Sequence, residues 1–211
     1  MGQKVNPIGF RLGIVYTWSS RWFADKHAYR KILEQDMRLR DLLRAKLASA
    51  GVMRIEIERS INRTDIILWV SRAGLVIGRG GKGLEELRAL LVKELGEKDA
   101  GQVHLRVQHV EKPDLSAKLL ASFAAEQLVK RLPARRVMSQ VVDRARRSGA
   151  LGARIILSGR IGGAEIARVQ KQEFGTIPLA TLRADIDFSK ADAHTKSGAV
   201  GVKVWVCRKG V

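Results

Sequence analysis

The chain has 211 residues, enough for one large domain or two small ones that each bury a core. Its 39 Lys and Arg against 21 Asp and Glu give a formal net charge of +18, which favours a polyanionic partner over merely solvated basic faces because the excess charge repels itself. A single cysteine excludes an internal disulfide framework and predicts a reducing, cytosolic compartment, and no apolar stretch reaches the roughly 18–20 residues of a membrane-spanning helix.

The first half of the chain predicts an N-terminal arm followed by helix, strand, strand, glycine turn, helix and strand. The arm has neither helical nor strand periodicity, and its Lys4 and Arg11 would suit docking to RNA. Asp36 interrupts the apolar side of the first helix, and leucines at helical spacing follow the glycine turn until the helix ends before Gly101. The expected bounds are 1–16 for the arm, 28–50 for the first helix, and 53–58, 64–70 and 103–107 for the strands, with a turn at 62–63.

The second half begins at a polar break over residues 111–114, which we interpret as the domain boundary. Two helices follow on either side of Pro133, and the second buries its valines so that arginines form a cationic ridge on the opposite face. The first helix is expected to begin after a cap at Asp114 or Ser116 and to continue until Pro133, and the second to span 134–148. A glycine turn and a short helix are expected over 162–167, and strands over 153–158, 168–174, 181–188 and 201–206.

The predicted fold class is therefore α+β in two domains after the arm over residues 1–16. The first domain, over 17–110, combines a three-stranded sheet with helices. The second, over 111–211, places two helices on a mixed or antiparallel sheet.

The glycine turn, GRGGKG at residues 78–83, has three candidate functions. It is not a P-loop, because Val76 and Gly83 stand where the first glycine and the magnesium-binding hydroxyl are required. It satisfies the dinucleotide pattern G-x-G-x-x-G, but no strand directly precedes it and no second βαβ half follows. The third candidate is a helix, a Gly-x-x-Gly turn and a second helix, the clamp by which KH domains hold a nucleic-acid backbone.

The residues of the turn suit that clamp. Gly78 and Gly81 lack the Cβ that would hold phosphates away, amides at the start of the second helix face the anion, and Arg79 adds a charged contact. The predicted RNA-binding set of the turn is Gly78, Arg79, Gly80, Gly81 and Lys82. A glycine-rich turn that only packs closely is the alternative. A helix and two strands before the turn, then a helix and a strand, is the order of a type II KH domain.

Several segments together resemble the small-subunit ribosomal protein three family of the bacterial type. They are MGQKVNPIGFRLGI at the start, SRWFAD at 20–25, IEIERS at 55–60, VIGRGG at 76–81, LSGRIGGAEIARV at 157–169, PLATLRADIDF at 178–188 and GAVGVKVWV at 198–206. They lie in order from Met1 to Val206, so the resemblance covers nearly the whole chain.

The resemblance implies a non-enzymatic protein of the head of the small ribosomal subunit, without cofactor or metal. Such proteins bind ribosomal RNA, line the opening where messenger RNA enters, and assist messenger unwinding with proteins four and five. Proteins two, ten and fourteen are further expected neighbours. Lys130, Arg131, Arg135 and Arg136 are expected to face the messenger, and the candidates for ribosomal RNA are Lys4, Arg11, Arg146, Arg147, Arg160 and Arg168. A bacterial cytoplasm and an organelle of similar lineage fit the resemblance equally.

Two departures from the family pattern affect these expectations. Gly80 stands where the family usually has Lys, which removes one phosphate contact, although Lys82 lies near enough to replace it in part. Pro133 and Ala134 replace a bulkier pair and alter the expected angle of the ridge. A nucleotide-dependent enzyme and a free-standing KH regulator of messenger RNA are the competing functions.

Other constellations predict no catalytic or metal site. Asp185 and Asp187 lie two residues apart as in some metal sites, but ion pairing with Arg183 or with arginines near RNA is the better interpretation. The histidines have no further ligand at a recognisable spacing. Cys207 is expected to be an inert strand residue.

Overall fold

The structure is a computed structural model that describes residues 3–60, 63–95 and 103–209. Its contacts divide into two compact units, one formed by Trp18–Glu111 and the other by Met1–Thr17 together with Lys112–Val211. The α-helices are Pro7–Phe10 (α1), Lys26–Lys46 (α2), Ala73–Ile77 (α3), Lys82–Leu95 (α4), Ala117–Val129 (α5) and Ala134–Arg147 (α6). The strands are Ser20–Arg21 (β1), Val52–Ser60 (β2), Arg63–Val70 (β3), Val103–His109 (β4), Gly152–Gly159 (β5), Arg168–Gly175 (β6), Ile186–Thr195 (β7) and Gly198–Cys207 (β8).

The unit Trp18–Glu111 has the element order expected of a type II KH domain. Its sheet has the order β1-β2-β3-β4, in which β2 and β3 are antiparallel and β3 and β4 are parallel. The short β1 pairs in parallel with β2 and adds a fourth strand to the three predicted. Parallel neighbours require a crossover connection, and here α3, the glycine turn and α4 provide it. The predicted turn residue Asn62 and the residues just before Gly101 lie outside the described ranges.

The core of this unit follows the periodicities of the sequence. Alternate residues of β3 are fully buried, and so are Leu39 and Leu43 of α2 and Leu91 of α4. Asp36, which interrupts the apolar side of α2, is also buried and accepts hydrogen bonds from Arg59, at 2.6 and 2.9 Å, and from the indole of Trp22 at 2.8 Å. A buried carboxylate needs such partners, so Asp36 ties α2 to β2.

The other unit packs α5 and α6 on one antiparallel sheet with the order β6-β5-β8-β7. Its core joins the apolar faces of both helices to inward residues of β5 and β8, such as Ile155, Leu157 and Val204. Two expectations were wrong here. The strand predicted over 181–188 begins only at Ile186 and continues to Thr195, and the helix predicted over 162–167 is a single 3₁₀ turn, Ile161–Gly163. Gly162 has a positive φ of 68°, which ends any helix at that point.

The N-terminal segment is not an extended arm, because it folds into the same unit as residues 112–211. The side chain of Asn6 caps α1 by accepting from the amide of Ile8 at 3.0 Å, and Pro7 occupies the first helical turn. Tyr16 donates a hydrogen bond to Asp185, and burial raises the pKa of its phenol above the usual value. The Tyr16–Asp185 hydrogen bond attaches the segment to the chain that precedes β7.

Arg11 corrects a sequence prediction, since it is fully buried and is not available to RNA. Its Nε donates to the carbonyl of Ala184 at 2.7 Å, and one terminal nitrogen donates to the carbonyl of Pro7 at 3.0 Å. The other donates to the carbonyls of Leu179 and Thr181 at 2.9 and 2.8 Å, and to that of Pro178 at 3.3 Å. The guanidinium therefore organises the loop before β7 through its fork of donors.

Candidate nucleic-acid interface

The glycine turn between α3 and α4 has the backbone that the KH prediction requires. Gly78 ends α3 with φ 70° and ψ −177°, a conformation that in practice only glycine adopts. Gly80 and Gly81 also have positive φ, at 64° and 81°. This sequence of dihedrals reverses the chain within a few residues and starts α4 at Lys82.

The glycines of this turn serve two different purposes. A Cβ on Gly83 would lie 2.8 Å from the carbonyl oxygen of Val76, and one on Gly78 would lie 3.1 Å from the amide nitrogen of Gly83. These two allow α3 and α4 to approach each other. A Cβ on Gly80 or Gly81 would have no atom within 4 Å, so these two keep the outer surface of the turn bare. A phosphate could approach the backbone at Gly80 and Gly81.

The side chains around the turn combine charge with apolar surface. Arg79 and Lys82 are exposed, and the described residues offer neither of them a carboxylate partner. Val76 is buried in the core and is not available as a floor beneath the bases. Leu75 and Ile77 are the exposed apolar residues of α3, so the turn presents cations beside an apolar patch. Phosphates and base faces bind surfaces of this kind.

The ridge at the turn between α5 and α6 consists of Lys130, Arg131, Arg135 and Arg136, and we call it the basic ridge. The helix α5 ends in paired hydrogen bonds, from the amide of Leu132 to the carbonyl of Gln127 at 3.2 Å and from the amide of Arg131 to that of Leu128 at 3.0 Å. This is a Schellman motif, whose left-handed position is usually occupied by Gly. Here it is occupied by Arg131, at φ 62°.

All four side chains of the basic ridge are exposed, and within the described ranges none of them forms an ion pair. Arg144, in the last turn of α6, has a different environment, because its guanidinium lies 3.7 Å from the ring centroid of Phe123 in α5. The predicted Arg146 and Arg147 are exposed in the last turn of α6, and Arg146 lies 5.9 Å from the ring of Phe174. Both ends of α6 therefore carry cations.

The remaining predicted residues have different environments. Lys4 and Arg168 are exposed. Arg160 is exposed too, and its Nε donates to the carbonyl of Ala164 at 2.9 Å. The structure brings Arg160 and Arg131 to one cavity, together with Lys196, which the sequence analysis missed. Lys196 and Ser197 form the two-residue turn of the β7–β8 hairpin. The sequence analysis did not predict this hairpin, because it ended the strand at 188.

The aspartates considered for a metal site hold the fold together instead. Asp187 accepts a hydrogen bond at 2.9 Å from the amide of Ala117, at the start of α5, and one at 2.8 Å from Arg208. The ion-pairing interpretation is correct, but the partner is Arg208 and not Arg183. In the part of the chain that the structure describes, no three His, Cys, Asp or Glu residues are grouped to hold a metal ion.

Comparison with known proteins gives each unit a relative. The family model of the KH domain matches residues 38–115, and that of ribosomal protein S3, C-terminal domain, matches residues 124–206. A protein of Desulforamulus reducens is 48% identical over 206 residues, which cover 98% of this chain and 91% of the relative. A protein of Caldicellulosiruptor saccharolyticus is 47% identical over 211 residues, which cover 100% of this chain and 94% of the relative. Both are named small ribosomal subunit protein uS3.

The chain belongs to the uS3 family. A third relative, uS3 of Bacillus cytotoxicus, is 46% identical over 208 residues, which cover 99% of this chain and 93% of that protein. Membership confirms the predicted α+β fold with a KH domain, and it identifies a structural, RNA-binding ribosomal protein and not a nucleotide-dependent enzyme. None of the helices among the described residues of this uS3 chain has the length and apolar character needed to cross a bilayer.

Proposed function

We propose that this chain is a constituent of the head of the small ribosomal subunit and that its basic ridge borders the opening where messenger RNA enters. The observation that carries the proposal is four exposed cations around one tight turn, with no carboxylate partner in the described ranges. Unpaired cations at this density favour a polyanion. The wide chain coverage of its uS3 relatives supports the ribosomal assignment.

The ridge acts by neutralising phosphates. Guanidinium groups bind phosphate oxygens with paired, charge-assisted hydrogen bonds, and each phosphate that is neutralised releases condensed counterions. Such contacts position a strand without reading its sequence, which suits a site through which messages of every sequence pass. By holding the single strand, the ridge favours the unpaired form of the message and so assists unwinding of structured regions.

The remaining cations anchor the protein to ribosomal RNA. The KH turn, with Arg79, Lys82 and the bare backbone at Gly80 and Gly81, grips one segment of that RNA. The exposed Lys4, Arg146, Arg147 and Arg168 contact others. Proteins four and five share the messenger opening, and proteins two, ten and fourteen are further neighbours. The site of action is the ribosome of a bacterium or of an organelle of similar lineage.

Replacement of all four cations of the basic ridge by Ala distinguishes a role in binding messenger RNA from a role in binding ribosomal RNA. We expect small subunits that contain this variant to assemble normally but to translate a message with a stable hairpin several-fold more slowly than an unstructured one. Ribosome profiles on sucrose gradients measure assembly, and single-turnover translation of the two messages measures unwinding. An assembly defect with equal translation of both messages would assign the ridge to ribosomal RNA and reject the messenger role.

A further inference from the structure

The unit that contains the basic ridge has a cavity of about 470 Å³ between the α5–α6 turn, the Ile161–Gly163 turn and the tip of the β7–β8 hairpin. One part of its lining is apolar and comes from Leu128, Leu132, Pro133, Ile161 and Val200. Another part is cationic and comes from Arg131, Arg160 and Lys196. Its volume lies in the range of small-ligand sites, roughly 300–1,000 Å³. A ligand for it needs both an apolar body and negative charge.

The charge in the cavity is uncompensated. The residues that line it include three cations and no carboxylate. Neither Arg131 nor Lys196 has an ion-pair partner among the described residues, and Arg160 uses only its Nε, for the carbonyl of Ala164. Three positive charges around one volume repel each other unless an anion joins them. The lining therefore selects for a dianionic or polyanionic group.

The backbone at Arg131 independently indicates a function. It is the only non-glycine residue of the described chain with a positive φ, at 62°, where glycine would be less strained. Strained residues of this kind concentrate at binding and active sites, where a particular side chain is required despite its conformational cost. Arg131 lines the cavity, so the requirement for a cation there explains why glycine is absent from the helix end.

A further part of the lining is nearly bare backbone. Gly162 and Gly163 both have positive φ, at 68° and 84°, and a Cβ on Gly162 would have no atom within 4 Å. A Cβ on Gly163 would lie 3.3 Å from the hydroxyl of Ser197, at the hairpin tip. These glycines contribute polar backbone to the lining, and Ser197 contributes a hydroxyl.

We propose that this cavity binds one nucleotide of a single-stranded RNA, with its phosphate on the three cations and its base or sugar against the apolar wall. Inorganic phosphate would occupy the charged part alone, and a nucleoside only the apolar part. The identity of the RNA as the messenger rests on the function proposed for the basic ridge. Binding of a nucleotide to the cavity does not depend on that function and can be measured by itself.

The first experiment measures binding to the purified full-length chain by calorimetry with adenosine 5′-monophosphate, adenosine and inorganic phosphate. We expect the monophosphate to bind at least tenfold more tightly than either of the others. Arg160→Gln, a change at an exposed side chain, should weaken binding at least tenfold. Ala134→Phe, which adds a bulky ring to the lining without a change of charge, should do the same. Lys171→Gln removes an equal charge from an exposed position of β6, outside the cavity, and should change binding less than twofold.

Two outcomes of this experiment overturn the proposal. One is equal affinity for inorganic phosphate and the monophosphate, which would reduce the cavity to an anion site. The other is wild-type affinity in Arg160→Gln, a variant that leaves the core untouched and so tests the cavity even if Ala134→Phe does not fold.

The second experiment separates an RNA strand from a free nucleotide and uses a fluorescent heptamer of single-stranded RNA. We expect Arg160→Gln to weaken binding of both the heptamer and the monophosphate at least fivefold, and saturating monophosphate to weaken heptamer binding. Loss of monophosphate binding with unchanged heptamer binding would make the ligand a free nucleotide and overturn the RNA assignment. Replacement of Lys130, Arg135 and Arg136 by Ala tests the ridge separately, because it should weaken heptamer binding and preserve monophosphate binding.

Discussion

Two arginines show that formal charge does not by itself identify an RNA contact. Arg11 is fully buried and donates only to backbone carbonyls, whereas Arg131 is exposed in a strained conformation. Both were expected to contact RNA, because cations predominate in a chain with net charge +18. Burial, which comes from tertiary structure, assigns Arg11 to stability, and the strained backbone supports the binding role proposed for Arg131.

Arg11→Ala should be strongly destabilising. The change removes the hydrogen bonds from the guanidinium to the carbonyls of Ala184, Leu179 and Thr181 and creates a cavity, so we expect a loss of about 3 kcal/mol or more in the free energy of unfolding. Urea unfolding followed by circular dichroism measures it. Lys4→Ala removes the same charge from an exposed position and should change stability by less than about 0.5 kcal/mol. Equal effects of the two changes would contradict the assigned role of Arg11.

Arg131→Gly should stabilise the protein and weaken its binding to RNA. Glycine relieves the left-handed backbone strain, which costs about 1–2 kcal/mol, but its greater conformational freedom in the unfolded chain offsets part of that gain. We therefore expect the free energy of unfolding to increase by about 0.5–1 kcal/mol. Arg131→Ala is the matched control, because it removes the charge but retains the Cβ and the strain. Thermal unfolding measures the stability of both variants. Equal stabilisation would mean that the loss of charge repulsion, and not the relief of backbone strain, stabilises the protein.

At the scale of elements, the glycines of the turn between α3 and α4 have two roles: some allow the helices to pack closely, and others leave the backbone of the turn exposed. Gly83→Ala should lower the free energy of unfolding by about 1–2 kcal/mol, because its Cβ would meet a backbone oxygen at 2.8 Å and the higher helix propensity of Ala offsets only part of that cost. Arg79→Asp should leave the unfolding midpoint nearly unchanged and weaken RNA binding, since its side chain is exposed. Chemical unfolding and filter binding on both variants test the division. A large loss of stability in Arg79→Asp would contradict it.

The sequence was sufficient to predict most elements and the KH turn, but not the β7–β8 hairpin. Helices such as α6 were predictable because their buried residues recur at helical spacing. The strand β7 was misplaced because residues 181–185 alternate like a strand. In the structure a carbonyl of this segment accepts a hydrogen bond from Arg11, and Asp185 forms an ion pair with Arg208. The cavity was not predictable from the sequence because its cations come from three segments that only the tertiary fold brings together.

At the scale of the whole molecule, the charge of +18 should appear as a steep salt dependence of RNA binding. The logarithm of the affinity for single strands falls with the logarithm of salt concentration by about 0.7 for each phosphate neutralised. If all four cations of the basic ridge contact phosphates, their replacement by Ala should make that slope shallower by about 3. Fluorescence anisotropy across a salt series measures it. Lys171→Gln should leave the slope unchanged, and an unchanged slope in the ridge variant would exclude these phosphate contacts.

The burial of Arg11 has a consequence for the order in which the chain can mature. The guanidinium and the Ala184 carbonyl that receives it are separated by 173 positions in the sequence. Because translation proceeds from the N-terminus, Arg11 is made long before its acceptors over residues 178–184. The guanidinium of this chain therefore has no distant acceptor during most of synthesis, and it can form these contacts only once residues 178–184 have been made.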